Sequence, residues 1–221
     1  CCRSIEELDR IVIDKGNPWY QKYLEFSEML VKLAQGRFPV AQPILRGGSD
    51  TIGALVGQEE MACGLLEEPE RVKRLFLQVA ELQRELVADQ LLLTPTFHHG
   101  RSIGFYHLWT PGNVIWYQDD LTALLSPRHY ETFLKESAER ICEGYAYTMM
   151  HLHPASFHLL DNILSIKTLK AVQINKDVGG PSVKEMLPYC RRVLECGKKL
   201  ILGMGFLDEN DIDAITSYLP N

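Results

Sequence analysis

Apolar residues in this chain follow two alternating patterns, short continuous runs and longer stretches with helical spacing. Residues 4–35 are polar and aromatic, and Pro18 suits the first turn of a helix carrying Tyr20, Leu24, Met29 and Leu33. Residues 38–45 read as a first strand, Gly47, Gly48 and Ser49 as its turn, and Ile52, Leu55 and Val56 as the inner side of a helix capped by Ser49. A second helix starts near Pro69 and places Val72, Leu75, Phe76, Val79, Leu82 and Leu86 on one face. Residues 94–110 have no period and predict a long loop with room for short strands, a kind of segment that commonly carries function. Residues 114–117 predict a second strand, and Ser126 with Pro127 begins the helix behind it, whose inner face is Tyr130, Phe133, Leu134, Ala138 and Ile141. Three further units follow: strand 145–152 with helix 157–164, strand 169–174 with a helix opened by the Ser182 and Glu185 capping box, and strand 199–204 with helix 211–219.

Strands alternating with amphipathic helices imply right-handed crossovers and a parallel sheet, which a doubly wound sheet and a closed barrel satisfy equally. A closed barrel takes eight such units in about 250 residues, so the five seen here would be part of one. The organisation read from the pattern is an N-terminal helical segment, 1–36, and one domain, 37–221. The first residue is Cys and the last three, Leu219, Pro220 and Asn221, resemble the start of a strand, so both ends read as cut.

Composition narrows the class. With 221 residues, 46% hydrophobic and 24% charged, the chain can bury a sizeable core and is neither disordered nor collagen-like. A net charge of -6 argues against a nucleic-acid partner and leaves small molecules or another protein. No apolar run approaches the roughly 20 residues of a membrane span, and no signal peptide is evident. The six cysteines, Cys1, Cys2, Cys63, Cys142, Cys190 and Cys196, lack paired spacing and read as reduced thiols of a cytoplasmic protein.

Several groups carry candidate chemistry. His151 and His153, two residues apart at a strand end, point to the same side and can approach one cation at about 2.0–2.1 Å; the plainer reading is a hydrogen-bonded pair. Of the adjacent Asp119 and Asp120, one can face a cavity as an acid, base or substrate ligand while the other caps or braces its loop. Arg46 with Gly47 and Gly48 before a helix N-terminus makes a substrate-anion site, although such turns also occur without ligands. The loop residues His98, His99, Phe105, Tyr106, His107 and Trp109, with Trp116, suit a lid or apolar wall, with plain packing as the alternative, and His107 and Trp109 are the substrate-binding candidates among them. Gln173, Lys176 and Asp177 after the fourth strand are candidate polar lining.

Three segments in order, PILRGGSDTIGALVGQEEMACGLLEEPERV, WYQDDLTALLSPRHYETF, and MMHLHPASFHLLDNIL leading to KTLKAVQINKDVGG, resemble the uroporphyrinogen decarboxylase superfamily. The resemblance implies a (β/α)8 barrel of the TIM type, incomplete here, with the strand C-terminal ends lining one cavity, and barrels that often pair as homodimers. It implies one of two reactions. The corrinoid-linked methyltransferases carry a His-x-Cys pair and a later cysteine that bind zinc and turn a thiol into a thiolate, with the corrinoid on a partner protein. Here His153 stands in place of the first cysteine, the later one would lie beyond Asn221, and Cys190 and Cys196 sit on another helix. The tetrapyrrole decarboxylases (carboxy-lyases of porphyrin biosynthesis) need no cofactor and bind many carboxylates through arginines. Arg46 and Arg101 set against Asp119, Asp120 and Asp177 suit a polyanion badly, because like charges in a low-dielectric pocket repel. The balance favours the methyltransferase branch, with Asp119, Asp120 and His151 as catalytic candidates, and leaves a non-catalytic corrinoid- or partner-binding member as a third reading.

Overall fold

The structure, a computed structural model, describes Cys2, residues 4–10 and residues 15–220. Cys1 and Asn221 lie outside the described residues, and the described cysteines are free thiols. After a short 3-10 turn, Ile5–Arg10, the first long helix is α1, Pro18–Ala34, entered through Asn17, whose side chain accepts from the Trp19 N–H, and Pro18.

Three helices then stand where the pattern predicts two: α2, Gly48–Val56, α3, Gln58–Glu67, and α4, Pro69–Leu93. The break between α2 and α3 is Gly57, held at φ 101°, an angle that costs a side-chain-bearing residue dearly. Ser49 is not the cap of α2. Gly47 holds that position and Ser49 lies in the first turn, with its hydroxyl directed to Asp119.

Residues 38–45 do not form a regular strand. Pro39 and Pro43 have no N–H to give, and the segment instead meets its neighbour at a single parallel bridge, Arg46 to Gln118. The Gln42 carboxamide replaces part of the missing ladder, donating to the Trp116 carbonyl at 2.5 Å and accepting from the Trp116 N–H at 3.3 Å.

The 94–110 segment contains an antiparallel hairpin of β1, Arg101–Ile103, and β2, Leu108–Thr110, joined by the turn Gly104–Tyr106. Then come β3, Val114–Gln118, and a helix running from α5, Pro127–His129, through a π-helical turn, Tyr130–Leu134, into α6, Lys135–Cys142. The remaining elements are β4, Tyr147–Leu152; α7, Leu160–Leu164; β5, Ala171–Asn175; α8, Val183–Glu195; β6, Lys199–Gly203; and α9, Glu209–Tyr218. The Ser182 and Glu185 capping box is formed as the sequence predicts.

Strands β3 to β6 make one parallel sheet in that order, with helices on one face. The fold is therefore α/β, and no described helix is long and apolar enough to cross a membrane. Strand alternation divides the residues between two cores. Ile115, Tyr117, Met150, Leu152, Val172 and Ile174 join the large helix-side core. Val114, Trp116 and Met149 pack with Ile103 of the hairpin in a smaller core on the opposite face. Lys198 braces the edge strand by donating to the carbonyls of Ile166 and Leu169 at 2.8 and 2.7 Å.

The turn before the hairpin is strained. Phe97 and Gly100 exchange backbone hydrogen bonds of 2.9 and 3.0 Å across His98 and His99, which are held at φ 48° and 63°. A two-residue turn with positive φ at both positions favours Asn-Gly, and left-handed backbone costs other residues about 1–2 kcal/mol each. Replacing His98→Asn and His99→Gly together is expected to raise stability by about 1–2 kcal/mol in urea unfolding. An unchanged midpoint would mean that the turn is not strained.

Candidate metal centre

The cluster forms where β4 ends. His151 points to the hairpin side of the sheet, and His153 follows in extended conformation, φ -89° and ψ 151°, so the two imidazoles emerge on one side. Their Nε2 atoms face each other at 2.9 Å, with the rings nearly perpendicular at 88°.

The opposite nitrogen of each ring has an oxygen partner. His153 Nδ1 lies 2.6 Å from Asp177 Oδ1, which also accepts from Asn175 Nδ2 at 3.0 Å. His151 Nδ1 contacts Gln173 Oε1 and lies 2.8 Å from the Tyr106 hydroxyl. The Gln173 amide is not free to turn over, because its Nε2 donates to the Ile174 carbonyl at 3.0 Å. Its oxygen therefore faces His151, and His151 Nδ1 must carry the proton. A carboxylate imposes the same tautomer on His153. With both rings neutral, the two Nε2 atoms are lone pairs directed at each other, an arrangement that repels unless a proton or a metal cation lies between them.

A third donor is close. Asp120 Oδ1 is 3.8 Å from His153 Nε2, its Oδ2 accepts from Gln118 Nε2 at 2.7 Å, and ligand atoms of Asp120, His151 and His153 all lie within 4.8 Å of one another. Burial lowers the pKa of His151, keeping the imidazole neutral, as a metal ligand must be. Burial and the Asp50 carboxylate raise that of Asp120, opposed by His153, His151 and Arg46.

Asp119 has a different place. It is buried with its carboxylate at the N-terminus of α2, accepting from the Ser49 hydroxyl and from the Asp50 N–H at 3.0 Å. Asp50 returns the arrangement, accepting from the Leu121 N–H at 2.8 Å at the head of the 3-10 turn Asp120–Leu124. Each carboxylate caps the other's element. Gly47 and Gly48 are explained by packing: a Cβ on Gly47 would stand 2.4 Å from the Asp119 carboxylate, and one on Gly48 would stand 2.8 Å from the Phe76 ring. The chain's own Asp119 carboxyl sits at this helix terminus, where the sequence suggests a place for a substrate anion.

Arg46 is exposed and lines a cavity of about 180 Å³ with Asp50, Gln58 and Asp120. A larger cleft, about 570 Å³, lies between α4 and α6 around Glu81, Glu139 and Arg140, and none of the histidines lines it. His107 is exposed in the hairpin turn, and Trp109 is turned toward the preceding turn, its indole donating to the Phe97 carbonyl at 2.9 Å. The hairpin residue that reaches the histidines is Tyr106, stacked on His151 at 5.8 Å and edge-on to Trp116 at 5.1 Å. Asn175 also joins the site, and its alternation with Gln173 along β5 was a signal that could have found it.

No family model matches the chain, and no curated protein matches it in sequence. Among solved structures, a methyltransferase from Methanosarcina mazei superposes with a TM-score of 0.51 at 14% identity, over 87% of this chain and 62% of that one. This likeness is one of fold, and this chain spans 62% of the neighbour's length.

Burial and the Asp50 charge push the Asp119 pKa up to about 7, so the folded chain holds this proton longer than the unfolded one. The contribution of Asp119 to stability is then greatest below the ordinary carboxylate range and falls as pH rises toward about 7. Asp119→Asn keeps the acceptor for Ser49 and Asp50 and removes the titration. Its stability relative to the parent, from urea unfolding across pH, is expected to improve over that interval; parallel curves would show that Asp119 does not titrate there.

Proposed function

We propose that this chain is part of a (β/α)8-barrel enzyme of methyltransferase type, in which His151, His153 and Asp120 hold a zinc ion at the C-terminal ends of the strands. The observation that carries the reading is the pair of Nε2 atoms facing each other at 2.9 Å, with Gln173 and Asp177 against the opposite nitrogens of the two rings. Two nitrogens bound to one tetrahedral zinc stand about 3.3 Å apart, so the observed 2.9 Å needs to open by only a few tenths of an ångström. Two nitrogens and one carboxylate oxygen leave a fourth position for substrate, as catalytic zinc sites do.

When bound, the metal would lower the pKa of a coordinated thiol and hold it as thiolate. The chain's own residues do the rest. Asp120 supplies the negative charge that keeps a dication in place, Gln173 and Asp177 orient the imidazoles, and Arg46 lines the cavity beside Asp120 for an anionic part of the substrate. A corrinoid protein presenting the methyl group, and pairing of two barrels, are the partners this reading carries from the sequence resemblance. The surroundings favour it over a tetrapyrrole carboxy-lyase, because among the described residues Asp50, Asp120 and Asp177 stand at or beside the cluster against Arg46.

The test is metal content of the full chain purified without a histidine tag and dialysed against zinc. About one zinc per chain is expected in the parent and none in His153→Ala; a metal-free parent would overturn the reading. Gln173→Ala is expected to remain folded and to bind zinc about 10–100-fold more weakly, since it frees the His151 ring to adopt the other tautomer. Undiminished affinity in competition with a chelator would remove Gln173 from the site's design.

A further inference from the structure

The geometry points to a second substrate contact at the same centre: the Tyr106 hydroxyl donates a hydrogen bond to an oxygen atom of the substrate, a few bonds from the atom bound to metal. The inference rests on the metal reading above and adds a preference for one substrate class, a thiol bearing an oxygen acceptor.

His151 Nδ1 carries one hydrogen and has two oxygen neighbours, Gln173 Oε1 and the Tyr106 hydroxyl at 2.8 Å. Because the Ile174 carbonyl fixes the Gln173 amide, the Nδ1 hydrogen points outward to both oxygens. The tyrosine oxygen is thus an acceptor toward His151, and its own proton is directed elsewhere. The half-buried hydroxyl can turn its proton to solvent or to a bound molecule, but the ring is fixed. It is stacked on His151, set edge-on against Trp116, and carried by a hairpin whose Ile103 is buried against Val114 and Met149. The hydroxyl is close enough to the cluster to feel the Asp120 carboxylate. It lies one imidazole ring from the metal-facing nitrogen, within reach of a substituent on a metal-bound molecule. A donor held at that distance, once a bound molecule displaces water from it, selects a ligand with an acceptor there.

The experiment uses the full chain loaded with Co(II) and titrated with either 2-mercaptoethanol or ethanethiol, reading the thiolate-to-cobalt charge-transfer band. Each thiol loses its proton to solvent as its sulfur coordinates. The two probes share the sulfur and differ by the hydroxyl oxygen. The parent is expected to bind 2-mercaptoethanol about tenfold more tightly than ethanethiol. Tyr106→Phe, which keeps both ring contacts, is expected to bind the two equally with cobalt stoichiometry unchanged. Equal binding by the parent, or an undiminished preference in Tyr106→Phe, would overturn the role of Tyr106 while leaving the metal centre standing. A parent chain that takes up no cobalt would overturn the metal centre, and this inference with it.

Discussion

The Gln173 carboxamide has one orientation that satisfies both of its ends. Its nitrogen needs the Ile174 carbonyl and its oxygen needs the His151 ring, and it is fully buried between neighbouring strands. Turning it over would set oxygen against oxygen and leave buried donors unpaired, a cost of about 1–3 kcal/mol for each unsatisfied group. Its position explains residues on three strands. Gly203 on β6 is glycine because a Cβ there would stand 2.2 Å from the Gln173 nitrogen. His151 on β4 is held in the tautomer that leaves Nε2 bare, and Asn175 on β5 continues the same alternation to reach Asp177. The chemistry proposed for the cluster follows from a side chain that touches no substrate.

A second constraint acts one strand away. Asp50 and Asp119 are buried carboxylates close enough that each raises the electrostatic cost of the other, yet each satisfies the backbone of the other's element. The exchange ties α2 to the end of β3. Because Asp119 turns inward to do this, alternation turns Asp120 outward beside the histidines. One aspartate braces the backbone of α2 while its neighbour faces the histidines.

Much of the fold was legible from pattern alone. Strands β3 to β6 lie where the short apolar runs put them, because a parallel strand covered on both faces must be apolar nearly throughout. The starts of α5 and α8 were legible because Ser126 and Ser182 cap through bonds only three residues long. Residues 38–45 misled because their apolar character was clear while their hydrogen bonding was not: two prolines deny the ladder, and Gln42 stands in for it from its side chain. The break at Gly57 was hidden by helical composition on either side, and Ser49 passed for a cap because the true acceptor, Asp119, lies 70 residues away.

By itself the sequence determined the α/β alternation, the parallel direction of the strands and the placement of His151 and His153 on one side of a strand end. These depend on period and on neighbours within a few residues. Only the tertiary structure decided which of Asp119 and Asp120 faces the histidines, which residue of the aromatic loop reaches them, and which way the Gln173 amide points. Each of those choices is made by a partner on another element, through a hydrogen bond or close packing that periodicity along one strand does not encode.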